Sequence, residues 1–150
     1  MRRALVPLAL VLAVACGSSD GGPETATLEI TTTDGVRSFE VEVADTPSER
    51  RVGLMHREEL APIDGMAFLW HEPIEGTFWM KDTLIPLSVA FWDEDGRIVA
   101  ILDMEPCEAD PCPSYGPGEP FLGAVELGLG VFGRTGVEVG DRVELHEPNA

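Results

Sequence analysis

Lys81 is the single lysine of a 150-residue chain whose other positive side chains are all arginine. It sits in Phe78-Trp79-Met80-Lys81-Asp82-Thr83, and strand alternation over residues 77–83 would place Trp79, Lys81 and Thr83 on one face. A flat apolar plate, a compact ammonium and a hydroxyl are groups suited to holding a small polar ligand. An ordinary outer strand face, with Lys81 paired to one of many carboxylates, fits the same pattern.

Tyr115 is the only tyrosine and lies in a Pro-rich loop just beyond Cys112. Two roles are open for it: a ring presented to a ligand, or a lid over the core. Glu126 stands between Val125 and Leu127 and is expected to point inward, where an unpaired carboxylate is costly. Lys81 and Arg50 are its expected partners, and Lys81 is expected to be partly buried beside a glutamate. Arg50, Trp79, Lys81, Asp82, Tyr115 and Glu126 therefore form the candidate ligand-binding set.

Histidines 56, 71 and 146 have no ligand spacing between them and read as surface or packing residues. Neither a nucleophile motif nor a Gly-rich phosphate loop occurs. Asp93-Glu94-Asp95-Gly96 places its glycine too early for a calcium loop and reads as a turn. No catalytic residue, metal or cofactor is expected on these grounds.

Three cysteines occur, Cys16, Cys107 and Cys112. The spacing of Cys107-Glu-Ala-Asp-Pro-Cys112 is wrong for a two-residue redox motif, and no second Cys/His pair completes a zinc site. A structural disulfide closing this small loop is expected, worth roughly 2 kcal/mol by loop entropy. Cys16 belongs to a different feature. Arg2 and Arg3 precede an apolar run from Ala4 to Ala15, which is shorter than the roughly 20 residues of a membrane span. This is the layout of a signal peptide over residues 1–15, with Ala13-Val14-Ala15-Cys16-Gly17 resembling a lipobox that lipidates Cys16. A plain signal peptide cut after Ala15 is the alternative. Residues 16–26, rich in Gly and Ser, read as a flexible tether.

The chain carries 27 Asp+Glu against 10 Lys+Arg, for a net charge of −17. That balance argues against nucleic-acid binding, which needs a basic footprint. It also leaves the lipid alone to hold the protein at an anionic membrane. Gly 16 and Pro 12 suit a turn-rich β protein better than a helical bundle.

The elements that must position these residues alternate with period two. Residues 27–43 read as a hairpin turning at Asp34-Gly35. Thr46-Pro47-Ser48-Glu49 starts a short helix ending near Gly53, with a capping box and Pro at its first position. Strands are expected over residues 65–70, 77–83, 87–92, 97–104, 122–127 and 142–145. A turn is expected at 73–76 and a loop or single helical turn over 128–136. Residues 27–147 thus form one globular domain, all-β in the main: a compact sandwich or jelly-roll-like barrel with one or two short helices.

Six segments in order carry a resemblance. They are Glu49-Arg50-Arg51-Val52-Gly53-Leu54-Met55, Gly65-Met66-Ala67-Phe68, residues 78–87 from Phe78 to Leu87, Met104-Glu105-Pro106-Cys107, Ala124-Val125-Glu126 and Gly140-Asp141-Arg142-Val143. Together they resemble the bacterial and archaeal family called domain of unknown function 192, across residues 28–145. The resemblance implies an exported β-sandwich of jelly-roll type and no established activity. It makes Trp79, Lys81, Cys107 and Glu126 motif members, with Asp82 standing where the family usually has Asn.

The leading expectation is a monomeric, non-enzymatic lipoprotein of the bacterial cell envelope, periplasmic or on the outer membrane. It would bind a small molecule or glycan at the Trp79, Lys81 and Tyr115 surface. The rivals are a hydrolase or isomerase using Glu126 or Asp82 with Lys81, and an acidic module that recognises a basic envelope protein.

Overall fold

The computed structural model describes residues 22–146. The expected signal peptide, Cys16 and most of the expected tether lie outside the described residues. Nine strands and two short helices follow in the order β1 (Thr25–Thr32), β2 (Gly35–Ala44), α1 (Pro47–Val52), β3 (Gly65–Ile74), β4 (Phe78–Trp79), β5 (Leu87–Trp92), β6 (Ile98–Met104), β7 (Ser114–Tyr115), β8 (Phe121–Gly128), α2 (Val131–Thr135) and β9 (Arg142–His146).

Seven strands make one sheet in the order β6-β5-β8-β3-β2-β1-β9, and β4 pairs with β7 in a second, two-stranded sheet. The pairings are antiparallel except β2 with β3, which run parallel from Val41↔Gly65 to Ala44↔Phe68. A parallel pair cannot be joined by a tight turn and needs a crossover; here the crossover carries α1. The large sheet curls until its ends touch, with Arg97 bridging Arg142 and the Ile98 N–H donating to the Asp141 carbonyl at 2.9 Å. One bridge is not a ladder. The fold is sandwich-like and mainly β, not the closed barrel that was the other form of the expectation.

Two apolar clusters lie on opposite faces of the central strands. Leu28, Ile30, Val41, Ala67, Val125 and Leu127 fill one, with Phe132 of α2 packed among them. Met66, Phe68, Val89, Phe91 and Ala124 belong to the other, with Leu54 and Met80 packed in from outside the large sheet. Strands covered on both sides read as continuous apolar runs, and all six residues of β5 are buried accordingly. Phe78 of β4 locks the small sheet onto the second cluster. Its ring stands edge-on to Phe68 at 4.9 Å and to Phe91 at 5.4 Å, a favourable aromatic geometry.

Two expected elements differ. The strand over 77–83 stops at Trp79, because the chain turns: the Thr83 N–H donates to the Met80 carbonyl at 3.2 Å, and Asp82 takes φ 54°. Left-handed backbone is tolerated by Asp and Asn better than by most residues, which gives position 82 a backbone requirement met by either. The turn expected at 73–76 begins later, because β3 runs on to Ile74, which faces Phe121 of β8 beyond an irregularity in register. The Asp93–Gly96 turn is present, its Asp93 carboxylate accepting the Asp95 and Arg97 N–H groups at 2.9 Å each.

Candidate functional site

Helix α1 starts as its sequence directs. The Thr46 hydroxyl accepts the Glu49 N–H at 3.2 Å, and the Glu49 carboxylate accepts the Thr46 N–H at 3.0 Å. The Thr46 hydroxyl also donates to the Glu49 carboxylate at 2.7 Å, and that bond, with the one from the Thr46 N–H, holds the Glu49 carboxyl below its usual range. The helix ends at Gly53, whose φ of 48° brings the backbone against the Phe68 ring. That closure places the segment Arg50–Met55 along one wall of a cleft of about 160 Å³. Thr77, Phe78 and Trp79 line the cleft as well, together with Phe68, Trp70, Thr83 and Glu126.

Glu126 belongs to central strand β8, opposite Met66 of β3 and Val89 of β5. Those neighbours place it on the face of the second apolar cluster, and it is only 5% exposed. Burial alone pushes its carboxyl up to about 8; no hydrogen bond or opposite charge among the described residues offsets the desolvation. The strand is pressed close at this point. Gly65 of β3 lies so near the Glu126 carbonyl that a Cβ at position 65 would collide with it.

Arg50 lies in the same cleft without bonding to Glu126. Its Nη1 donates to the carbonyls of Asp45 and Leu69, and its guanidinium sits 5.2 Å from the centre of the Trp70 ring. Cation–π contact and two carbonyls hold the charge in place. Arg51 lines the cleft beside it. The ion pairs among the described residues involve neither arginine.

Lys81 is elsewhere. Its ammonium donates to both carboxylate oxygens of Asp110 at 2.9 Å, and those bonds and that charge hold it above the ordinary lysine value. Its side chain is 36% exposed. The expected pairing with Glu126 is therefore corrected: the turn that begins at Met80 carries the ammonium away from the cleft toward the Cys107–Cys112 loop, where Lys81 is half-buried as expected but beside Asp110 and not a glutamate. The reading of an ordinary surface ion pair is the one that stands. Lys81 and Asp82 instead border a small polar depression with Cys107, Asp110 and Cys112.

The two cysteines are bonded, as their spacing predicted. Tyr115 pairs with Phe78 across the small sheet and packs against the second cluster. Of its two open roles, it takes that of a lid over the core. Thus Arg50, Trp79 and Glu126 of the expected set converge, while Lys81, Asp82 and Tyr115 do not join them. Thr83, which the sequence reading placed on one face with Trp79, does line the cleft, whereas Trp70, Phe68 and Arg51 are cleft residues it did not single out. The signal for Arg51 and Phe68 was present, since both fall in segments that carry the family resemblance. Trp70 falls outside those segments, and only the approach of α1 to β3 reveals it.

Comparison with other proteins agrees with this architecture. No curated protein matches the chain. A Sinorhizobium meliloti 1021 protein, provisionally named a transcription regulator, has a similar crystal structure: TM-score 0.75 and 33% identity over 84% of this chain and 97% of that one. A protein of unknown function from Novosphingobium aromaticivorans DSM 12444 is also similar, with TM-score 0.71 and 35% identity over 80% of this chain and 84% of that one. The family model described as DUF192, uncharacterized ACR, matches residues 28–145. That span covers the globular domain, and the chain belongs to the domain of unknown function 192 family.

Proposed function

We propose that this protein is an exported, lipid-anchored envelope domain that binds a small ligand in the Glu126 cleft. The observation that carries the binding reading is the carboxyl of the largely buried Glu126, which bonds to no described group and whose oxygens open into an aromatic-walled cleft. Buried polar groups nearly always find a hydrogen-bond partner, and a cleft with apolar walls and a few convergent polar groups is the usual form of a ligand site. A ligand would supply the missing partner. The Trp79, Lys81 and Tyr115 surface expected from sequence loses its support, because the turn after Met80 separates Lys81 from Trp79.

Binding is favoured over catalysis. A carboxyl poised near neutrality can transfer protons, but the residues lining the cleft include no second carboxyl and no serine, cysteine or histidine. The rival pairing of Glu126 with Lys81 requires a contact that the ion pair with Asp110 replaces. Gene regulation by direct DNA contact, suggested by the name of the Sinorhizobium protein, is disfavoured by a net charge of −17.

The test is a thermal-shift and tryptophan-fluorescence screen of small sugars, alcohols, amines and organic acids. Trp70 and Trp79 line the cleft and should report occupancy directly. A hit is expected for the unaltered protein and not for Glu126→Gln. If no compound acts on either, or both respond alike, the cleft is not a binding site.

A further inference from the structure

Within the ligand-binding reading, on which this step rests, we infer that the cleft takes a small organic anion with one ring-sized apolar body. Its anionic head would lie at Arg50 and Arg51, and its apolar body against the aromatic wall of the cleft.

Size sets the first limit. The cleft measures about 160 Å³, close to the roughly 150 Å³ cavity that accommodates benzene in a well-studied engineered case. A disaccharide or a nucleotide could not be enclosed in it. The walls set the second limit. Phe68, Trp70, Phe78 and Trp79 supply aromatic surface, and such rings favour a flat or compact apolar body in edge or offset contact. Trp79 is 52% exposed, so the wall it forms lies at the mouth rather than in the core.

Charge sets the third. Arg50 is held by the Trp70 ring, over which its Cζ sits, and by two carbonyls that both accept from Nη1. Its other N–H groups have no partner among the described residues, and neither does the Arg51 guanidinium. The nearest acid in sequence, Glu49, is committed to the helix cap through Thr46. In a chain with 27 acidic residues, two adjacent arginines that form no ion pair among the described residues keep guanidinium N–H groups available to an incoming anion. Planar guanidinium groups bind carboxylates by paired hydrogen bonds. Opposite them, Glu126 in its protonated form is a hydrogen-bond donor, and it adds no negative charge to repel the ligand.

The probes are benzoate, benzamide and benzylammonium, which share a ring and differ in charge. Each is titrated into the purified full-length protein while tryptophan emission and melting temperature are followed. Benzoate is expected to bind about tenfold more tightly than benzamide, the size of one charged hydrogen bond, and benzylammonium not at all. Arg51→Ala touches no described partner and should weaken benzoate several-fold without altering benzamide, while Arg50→Met should weaken it further. Equal or tighter binding of benzamide or benzylammonium overturns the anion inference and leaves the ligand-binding reading intact. Benzoate binding that ignores both arginine changes overturns it too. Failure of all three probes while a neutral or cationic compound from the wider screen binds has the same meaning. Failure of every compound removes both readings together.

Discussion

Lys81 and Asp110 are joined by two hydrogen bonds of 2.9 Å across 29 residues of chain. The contact clips the disulfide loop onto the turn that follows β4, where the Cys107 N–H also donates to the Met80 carbonyl at 3.4 Å. A residue that looks in sequence like half of a binding site is thus a surface fastener. The consequence is directly measurable. Lys81→Met should leave the melting temperature nearly unchanged, because an exposed ion pair adds little to stability. It should also leave benzoate binding at the Glu126 cleft unaltered. Loss of ligand response in this variant would return Lys81 to the site.

The disulfide adds a second fastener to the same loop. Without reductant, mass spectrometry should find Cys107 linked to Cys112. Replacing both by Ser should cost about 2 kcal/mol, as expected for a short closed loop, read from urea unfolding. A drop several times larger would mean that the loop is part of the core rather than an attachment to it.

Glu126 makes stability depend on pH in a defined direction. Burial holds its carboxyl at about 8 against an ordinary 4.5, so the native protein keeps a proton that the unfolded chain has released. Between these values the native state binds more protons, and its stability falls as pH rises. Glu126→Gln removes this dependence. From about pH 5 to about pH 8 the variant should therefore gain on the unaltered protein by roughly 1.4 kcal/mol per pH unit. Parallel stability curves would show that the carboxyl titrates normally.

Gly65 and Glu126 test how the cleft floor is held. Any side chain at position 65 meets the Glu126 carbonyl on the neighbouring strand. Gly65→Ala should destabilise the fold by about 3 kcal/mol, the upper end for forced overpacking. It should also weaken ligand response more than an equally destabilising change in the other apolar cluster, such as Val143→Ala. Equal effects on binding would show that the floor tolerates displacement.

The proposed lipid anchor at Cys16 lies outside the described residues and is tested on the cell. Cys16→Ser should release the protein from the membrane fraction and abolish labelling by fatty-acid probes. A variant that stays membrane-bound with unchanged mature mass would show that Cys16 carries no lipid.

How much of this was legible in the chain follows from the range of each interaction. The β1–β2 hairpin, the capped helix α1, the β5–β6 hairpin and the Cys107–Cys112 loop depend on residues close in sequence, and alternation and turn chemistry suffice to read them. The inward orientation of Glu126 was legible too, from apolar neighbours on a central strand. The family resemblance marked Arg50–Met55 and Glu126 without saying that they meet. Sequence could not show that β2 and β3 run parallel, which forces the crossover and brings Leu54, just after α1, into the second apolar cluster. Nor could it show the left-handed turn at Asp82. Alternation extrapolated past Met80 gave Trp79 and Lys81 a common face, and the turn that begins at Met80 separated them. Only tertiary structure decided that Trp79 joins Arg50 and Glu126, because a cleft is made by contacts between segments about 30 to 75 residues apart, and no local pattern encodes which of them will close on one another.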